Sequence, residues 1–380
     1  MSEGVTCRRR FLSLAGAALV PLLPASPAGS AVVAASGGRA KCCRNALIIN
    51  ALGSLDNPNL ADENRTPDAR AIRDSHASGL DAVNITIARP TVEFEQIMRD
   101  LAAWDSAIRT APDDLLKVWM AADILKAQAQ RRIGVIYGLQ NAAFLQDELD
   151  RIDLLAEFGL RILQLTYNPS NQLGDGCMAP ENRGLSPFGI EAVERLNARK
   201  VLVDLSHSGE RTCLEAARAS KAPITISHTG CRTLADLPRN KSDRELRLVA
   251  EAGGVVGIYF MAYLKADMHP NAEDVIRHIE HAIDVCGEDH VSIGTDGPVA
   301  QVDDLEAYSA GLAAAVEQRR RTGIGATGEA ADTYPFIIDL RGVHQFRDLV
   351  HRLEKRRHRT ARIEKILGRN FLRLVTEVWA

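Results

Sequence analysis

Short apolar segments alternate with longer amphipathic ones along most of the chain. The apolar segments span five to nine residues and are bounded by turn-forming or polar residues, which is typical of strands buried in a parallel sheet. Eight strands are predicted, at residues 46–51, 80–88, 133–139, 160–166, 201–206, 223–227, 254–260 and 291–295. Amphipathic helices are predicted between them, among them 91–109, 144–158, 187–199 and 272–285.

This alternation predicts the α/β class and, within it, a closed (β/α)8 TIM barrel. Eight strands alternating with helices over about 300 residues are the usual content of that fold. A doubly wound open sheet is the alternative. Residues 50–54, which follow the first strand, contain one glycine and so lack the Gly-rich phosphate loop of a dinucleotide-binding fold.

The beginning of the chain differs from the rest in composition. Residues 8–10 are arginines, residues 15–23 are apolar, and small residues follow to about residue 35. This order predicts an export signal of the twin-arginine type, with an ordinary secretory signal as the alternative. The apolar run is shorter than the ~20 residues that span a membrane. We therefore predict a signal in residues 1–40, one barrel domain in residues 41–380, and a periplasmic or extracellular mature protein.

Charge and cysteine content narrow the class of partner. The 380 residues include 46 Lys and Arg against 49 Asp and Glu, a net charge of -3. This balance argues against a nucleic-acid-binding protein held by phosphate contacts. The seven cysteines show no CxxC or comparable spacing, so a cysteine-based metal site is not predicted.

Polar residues at the ends of the predicted strands are the candidates for chemistry, because catalytic groups of a barrel project from the carboxyl ends of its strands. His207 and His228 end neighbouring predicted strands in the same Ser-His context, and Asp296 follows the last strand. Two imidazoles and an oxygen donor are a known catalytic zinc set. The pattern predicts that both histidines bind one metal ion. The loop 168–187, on the same side of the barrel, is predicted to form a lid or a wall of the substrate site.

A series of motifs runs in one order through nearly the whole chain after the signal. They are GLSPFG at 184–189, VLVDLSH at 201–207, APITISH at 222–228, PRN at 238–240, GGVVGI at 253–258, HIEH at 278–281, IGTD at 293–296 and ILGRNF at 366–371. In these motifs the chain resembles a divergent bacterial member of the renal (membrane) dipeptidase family of metallopeptidases. The resemblance implies a (β/α)8 barrel, hydrolysis of dipeptides, two zinc ions bridged by a Glu and a hydroxide, and in many members a homodimer.

The resemblance also assigns roles to four residues of this chain. His207 and His228 match two ligands of one zinc ion, and Arg239 matches the arginine that holds the substrate carboxylate. Asp296 matches the acidic residue of the last strand, which can bind an ammonium or move a proton. A guanidinium suits the carboxylate because the two groups form paired hydrogen bonds.

Four other family positions are replaced. Leu52 and Ser54 stand where the family has a His-x-Asp pair, Gln140 where it has the bridging Glu, and Tyr167 where it has a substrate-contacting His. Two dications about 4 Å apart repel four times as strongly as unit charges, which cost about 4 kcal/mol at an effective dielectric near 20. Without the lost carboxylates we predict one zinc ion rather than two, with Gln140 as a weak third ligand.

Three interpretations remain at this level. The first is an exported metallohydrolase that cleaves a dipeptide or a related amide, with Asp296 and Tyr167 as catalytic residues and Tyr167 donating to the developing oxyanion. The second is a family member without turnover that binds small peptides. The third is a metal site completed by an oxygen of Asp56, Asp175 or Asp204.

Overall fold

The computed structural model describes residues 46–60 and 66–380, so the predicted export signal and its boundary at residue 40 lie outside the described residues. The strands are β1 (Ile49–Asn50), β2 (Ala82–Thr86), β3 (Leu115–Lys117), β4 (Ile133–Leu139), β5 (Leu160–Gln164), β6 (Leu202–Asp204), β7 (Thr225–Thr229), β8 (Val255–Ile258) and β9 (Val291–Ile293). The helices are α1 (Ala69–Ser78), α2 (Phe94–Thr110), α3 (Ala121–Gln130), α4 (Asp150–Glu157), α5 (Pro187–Ala198), α6 (Glu210–Ala219), α7 (Asp243–Glu251), α8 (Ala272–Cys286), α9 (Leu305–Arg321), α10 (Gln345–Lys355), α11 (Thr360–Glu364) and α12 (Asn370–Val378).

Eight of these strands form one parallel sheet in the order β1-β2-β4-β5-β6-β7-β8-β9. The sheet closes on itself because the Ala51 backbone nitrogen donates to the carbonyl of Ile293 at 2.9 Å, and that of Asp296 donates to Leu52 at the same distance. The predicted (β/α)8 barrel is therefore confirmed. All eight predicted strands are present, and the open sheet is excluded.

One strand of the structure has no counterpart among the predicted ones. β3 is three residues long and pairs with the beginning of β4, next to β2 and off the main strand order. So short a segment shows neither an alternating nor a continuous apolar pattern, so it could not be recognised from the sequence.

The barrel strands are apolar where they pack together. One buried cluster combines residues of β1, β2, β4, β5, β6 and β8 with Phe371 and Leu374 of α12. Burying a side chain of this size contributes about 1.5–3 kcal/mol, so the cluster fixes the strands against the last helix. Within the described residues no helix has both the length and the apolar character needed to cross a bilayer.

Two glycines let three strands approach one another closely beneath the carboxyl ends of the barrel. A Cβ atom added at Gly257 would lie 1.9 Å from the carbonyl oxygen of Ser227, and one added at Gly294 would lie 2.0 Å from the same atom. No side chain fits at such distances. The position of Ser227, and of His228 after it, therefore depends on glycine at both places.

Candidate metal and substrate site

The two predicted metal-binding histidines meet at the carboxyl ends of neighbouring strands. His207 lies three residues beyond the end of β6, and His228 lies within β7. Their Nε2 atoms are 3.1 Å apart, and the rings are tilted by 59°. Both side chains are buried. The sequence prediction that these imidazoles converge agrees with this geometry.

The Nδ1 atom of His207 is held by Asn168. The Asn168 amide nitrogen donates to the carbonyl of Ile324 at 2.7 Å, which leaves the amide oxygen to face Nδ1 of His207, also at 2.7 Å. An amide oxygen only accepts, so Nδ1 carries the proton and donates. The Nε2 atom of neutral His207 therefore presents a lone pair toward His228.

The Nδ1 atom of His228 is held by a serine and a buried aspartate. The Ser227 hydroxyl donates to Asp204, which leaves its oxygen to accept from Nδ1 of His228 at 2.9 Å. Ser206 donates to the same carboxylate through its backbone nitrogen and its hydroxyl. The Nε2 atom of His228 then also presents a lone pair, toward His207.

This arrangement fits a bound metal ion. Burial lowers the pKa of both histidines well below the ordinary value, with the Arg239 charge acting in the same direction, so both are neutral at pH 7. Two lone pairs 3.1 Å apart repel each other unless they share a cation. Two nitrogens bound to one zinc at about 2.1 Å each lie roughly 3–3.4 Å apart for angles near 90–110°. His207 and His228 therefore have the donor type and the spacing that zinc requires.

Asp296 lies beside the histidine pair. Its Oδ2 atom is 3.9 Å from Nε2 of His228, beyond direct hydrogen bonding, and its backbone has a left-handed φ of 58°, which Asp tolerates better than most residues. Burial raises the pKa of Asp296 to about 7, and the Arg239 charge opposes this shift. The carboxyl group can thus exchange a proton near neutral pH, at a distance that leaves room for one small atom between it and the histidines.

Arg239 supplies a positive charge to the same space, where it interacts electrostatically with Asp296. Its side chain is buried, Nη1 donates to the carbonyl of Ser206 at 2.9 Å, and the guanidinium lies 5.8 Å from the centre of the Tyr259 ring. Across residues 46–60 and 66–380 it forms no ion pair with a carboxylate. A buried cation without a direct ion-pair partner is costly, so this position favours an anionic ligand.

Tyr167 packs on the histidine pair. Its ring stacks on His207 with the ring centres 4.2 Å apart and the planes inclined by 23°. Burial, together with the charge of Asp296, raises the pKa of Tyr167 to about 12. The hydroxyl therefore remains a proton donor at pH 7. The predicted hydrogen-bonding role adds to a packing role that the sequence did not reveal.

Comparison with known proteins now decides the family. The sequence profile of the membrane dipeptidase family (peptidase family M19) matches residues 87–313. The chain belongs to this family. The resemblance found in the motifs is thereby confirmed, and membership of the membrane dipeptidase family supports the prediction of a peptide hydrolase.

Individual relatives agree with membership of the membrane dipeptidase family. An amidohydrolase from Pseudomonas aeruginosa of known crystal structure is 30% identical, with a TM-score of 0.75 over 88% of this chain and 97% of its own. The dipeptidase verJ of Clonostachys rogersoniana is 32% identical over 167 residues, 43% of each chain. A metallo peptidase from Rhodobacter sphaeroides, liganded with a phosphinate mimic of the dipeptide L-Ala-D-Ala, is 20% identical. It shares the fold, with a TM-score of 0.69 over 88% of this chain and 100% of its own.

The replaced positions are not arranged as a second metal site. Leu52 is buried, and the backbone nitrogen of Ser54 donates to the carbonyl of Gly297. Gln140 donates from Nε2 to the Thr86 hydroxyl at 2.7 Å. Leu52 offers no donor atom, and Gln140 and Ser54 bring no negative charge. The anionic ligands that the resemblance implies for a second ion are therefore missing at these positions.

A complete set of protein ligands is not formed around the histidine pair. Within the described parts of the chain, no group of three or more His, Cys, Asp or Glu side chains could hold a metal ion. Of the alternative oxygen ligands, Asp175 binds Arg183 at 2.9 Å and Ser170 at 2.7 Å, and Asp204 holds the two serines beneath the histidines. Asp56 is half-buried after β1. Asp175 and Asp204 thus hold other parts of the structure in place.

Asn168 lies at the candidate site although the sequence did not single it out. It begins the predicted wall 168–187, and its contacts to His207 and to Ile324 bridge segments far apart in the chain. The wall itself touches the site, since the backbone nitrogen of Cys177 donates to the carbonyl of His207 at 2.7 Å. A stretch rich in Asn, Gly and Pro marks such a loop, but no local pattern says which asparagine faces a histidine.

Replacing Asn168 with leucine is expected to weaken zinc binding roughly 10- to 100-fold, the usual effect of removing the partner that orients a metal-binding histidine. Competition against a chromogenic chelator measures the affinity. Asn197, which accepts from Ser220 and Lys221 away from the site, provides the matched Asn197→Leu control. Equal zinc affinity in the two variants would contradict the role given to Asn168.

Proposed function

We propose that the protein is an exported dipeptidase that uses one zinc ion, held by His207 and His228, to hydrolyse a dipeptide or a related amide. The observation that carries this proposal is the pair of Nε2 atoms 3.1 Å apart, each with its Nδ1 atom already engaged. The export part rests on the signal predicted in residues 1–40.

Each residue around the pair of His207 and His228 has a different role in amide hydrolysis. Zinc, when bound, polarises the scissile carbonyl and makes water more acidic. Arg239 binds the carboxylate of the substrate and so orients the peptide bond. Asp296, whose carboxyl group lies 3.9 Å from Nε2 of His228, accepts the proton of the attacking water and returns it to the leaving amine. The Tyr167 hydroxyl donates to the oxyanion that develops on the carbonyl.

A binding protein without turnover is the second candidate. It is favoured by the loss of ligand-bearing side chains at Leu52 and Ser54 and by the absence, among the described residues, of any group of three or more His, Cys, Asp or Glu side chains that could hold a metal ion. In that case Arg239 would hold the peptide carboxylate in the same way, and Asp296 would hold its ammonium.

Metal analysis and a substrate panel separate the two candidates. The purified full-length protein is dialysed against zinc, its metal content is measured, and it is incubated with dipeptides of L and D residues. About one zinc per chain together with hydrolysis of at least one dipeptide is the expected result. If the protein binds dipeptides but contains no zinc and hydrolyses none of them, the proposed dipeptidase is wrong and the binding protein is supported.

A further inference from the structure

A second arginine lies at the mouth of the barrel. Arg319, near the end of α9, binds Glu329 of the following segment, with Nε 3.0 Å from Oε2. The other carboxylate oxygen of Glu329 accepts from the Tyr263 hydroxyl at 2.7 Å. The side chains of Arg319 and Glu329 are 29% and 11% exposed, so this pair is largely shielded from solvent.

A chain of contacts connects this pair to the substrate-binding arginine. Arg239 lies over the ring of Tyr259, whose centre is 6.1 Å from that of Tyr263, and Tyr263 holds Glu329. From the other side, Ile324 of the same segment holds Asn168 beside His207. Arg319 and Glu329 thus flank Ile324 in a segment that contacts both Asn168 and Tyr263. The Arg319 charge also opposes the effect of burial on the pKa of Asp296, as expected of neighbouring groups.

Among the described residues, the terminal nitrogens of Arg319 have free hydrogen-bond donors, whereas each oxygen of Glu329 already accepts one hydrogen bond. A guanidinium carries five N–H bonds, of which Arg319 uses the one on Nε, and its two terminal nitrogens form no hydrogen bond within residues 46–60 and 66–380. These free donors favour a ligand that supplies acceptors, and a carboxylate matches two parallel terminal N–H bonds best.

We propose that Arg319 binds a second carboxylate of the substrate, so that the preferred substrates are dipeptides with an Asp or Glu side chain. The inference rests on the proposed function, in which Arg239 takes the terminal carboxylate. The two guanidinium groups of Arg239 and Arg319 then receive the two carboxylates of one small molecule.

Matched acidic and amide dipeptides test this preference directly. Binding of alanyl-glutamate and alanyl-glutamine, and of glutamyl-alanine and glutaminyl-alanine, is measured by calorimetry on the full-length zinc-treated protein, alongside hydrolysis rates. Within at least one pair we expect the acidic member to bind 10- to 100-fold more tightly, since one charged hydrogen-bond pair has about this effect. The binding measurement does not require turnover.

The variants assign the preference to one side chain. Arg319→Gln is expected to bring the ratio of the two dissociation constants to about one, while alanyl-alanine binds as before. Arg320 and Arg321 are neighbours on α9 that pair with Glu317 and are 79% and 77% exposed, so Arg320→Gln and Arg321→Gln are matched controls that keep the ratio. Glu329→Gln removes a negative charge beside the ligand and should raise the ratio.

The outcomes distinguish this inference from the proposed function. If neutral dipeptides are hydrolysed and acidic ones are not preferred, the role given to Arg319 is wrong. The proposed dipeptidase activity is then still supported. The role of Arg319 would also be wrong if Arg319→Gln and Arg320→Gln reduced the acidic preference equally. Nonspecific electrostatic attraction would then explain the tighter binding. Tighter binding of alanyl-lysine than of alanyl-methionine would make Glu329 the recognition group instead.

Discussion

Replacing His228 with alanine is expected to remove bound zinc and dipeptide hydrolysis together. The variant keeps one imidazole, too few ligands to retain an ion against competing chelators, and its zinc content should fall from about one per chain to near zero. The hydrolysis rate should fall by roughly 10³-fold or more, because the ion supplies several kcal/mol of transition-state stabilisation and each 1.36 kcal/mol is tenfold.

The same measurements on two other variants control for folding. His228→Gln retains a polar side chain of similar size, and His351→Ala removes an exposed histidine of α10. Thermal unfolding followed by circular dichroism identifies any variant that fails to fold. A folded His228→Ala protein that still binds one zinc ion would show that the ion lies elsewhere, and the assignment of both histidines would be wrong.

Replacing Arg239 with methionine is expected to abolish recognition of the substrate carboxylate without loss of stability. Two charge-assisted hydrogen bonds of about 1.5–3 kcal/mol each are lost, so KM for dipeptides with a free carboxylate should rise roughly 100-fold or more. The melting temperature should stay equal or rise, since a buried charge without a direct ion-pair partner is replaced by an apolar side chain of similar length.

Both control substrates and control variants are available for the Arg239→Met experiment. Dipeptides blocked as C-terminal amides should be cleaved equally by the natural protein and by Arg239→Met, because they lack the group that Arg239 binds. Arg239→Lys keeps the charge but not the planar guanidinium group. Its KM for free dipeptides should therefore lie between those of the natural protein and of Arg239→Met. Arg232, paired with Glu210 at 3.3 Å, provides the control Arg232→Met. An unchanged KM for free dipeptides would assign the carboxylate to another residue.

The sequence predicted most of the barrel because its signals are local. The apolar runs that became β4 and β5 are long and bounded by polar residues, and the Ser-His endings place His207 and His228 relative to their own strands. Strand ends meet at one edge of a parallel barrel, so knowledge of the fold was enough to bring the two imidazoles together.

What the sequence could not predict depends on contacts between distant segments. Asn168 meets His207 39 residues later and Ile324 156 residues later, and an asparagine in a polar loop has no periodic pattern to indicate such partners. The stacking of Tyr167 on His207 is also a product of packing. The sequence shows that Tyr167 stands where the family has a histidine. It does not show that the new ring stacks on His207.

Gly257 and Gly294, which lie against the Ser227 carbonyl of β7, restrict natural and engineered variation. A methyl group at position 257 or 294 would push the Ser227 carbonyl aside, and the neighbouring imidazole would move with its strand. A shift of 1 Å in such a group is enough to impair a reaction. Sequence variants can therefore inactivate this protein from positions that touch neither the ion nor the peptide, and a search for tolerated mutations should treat both positions as part of the reaction centre.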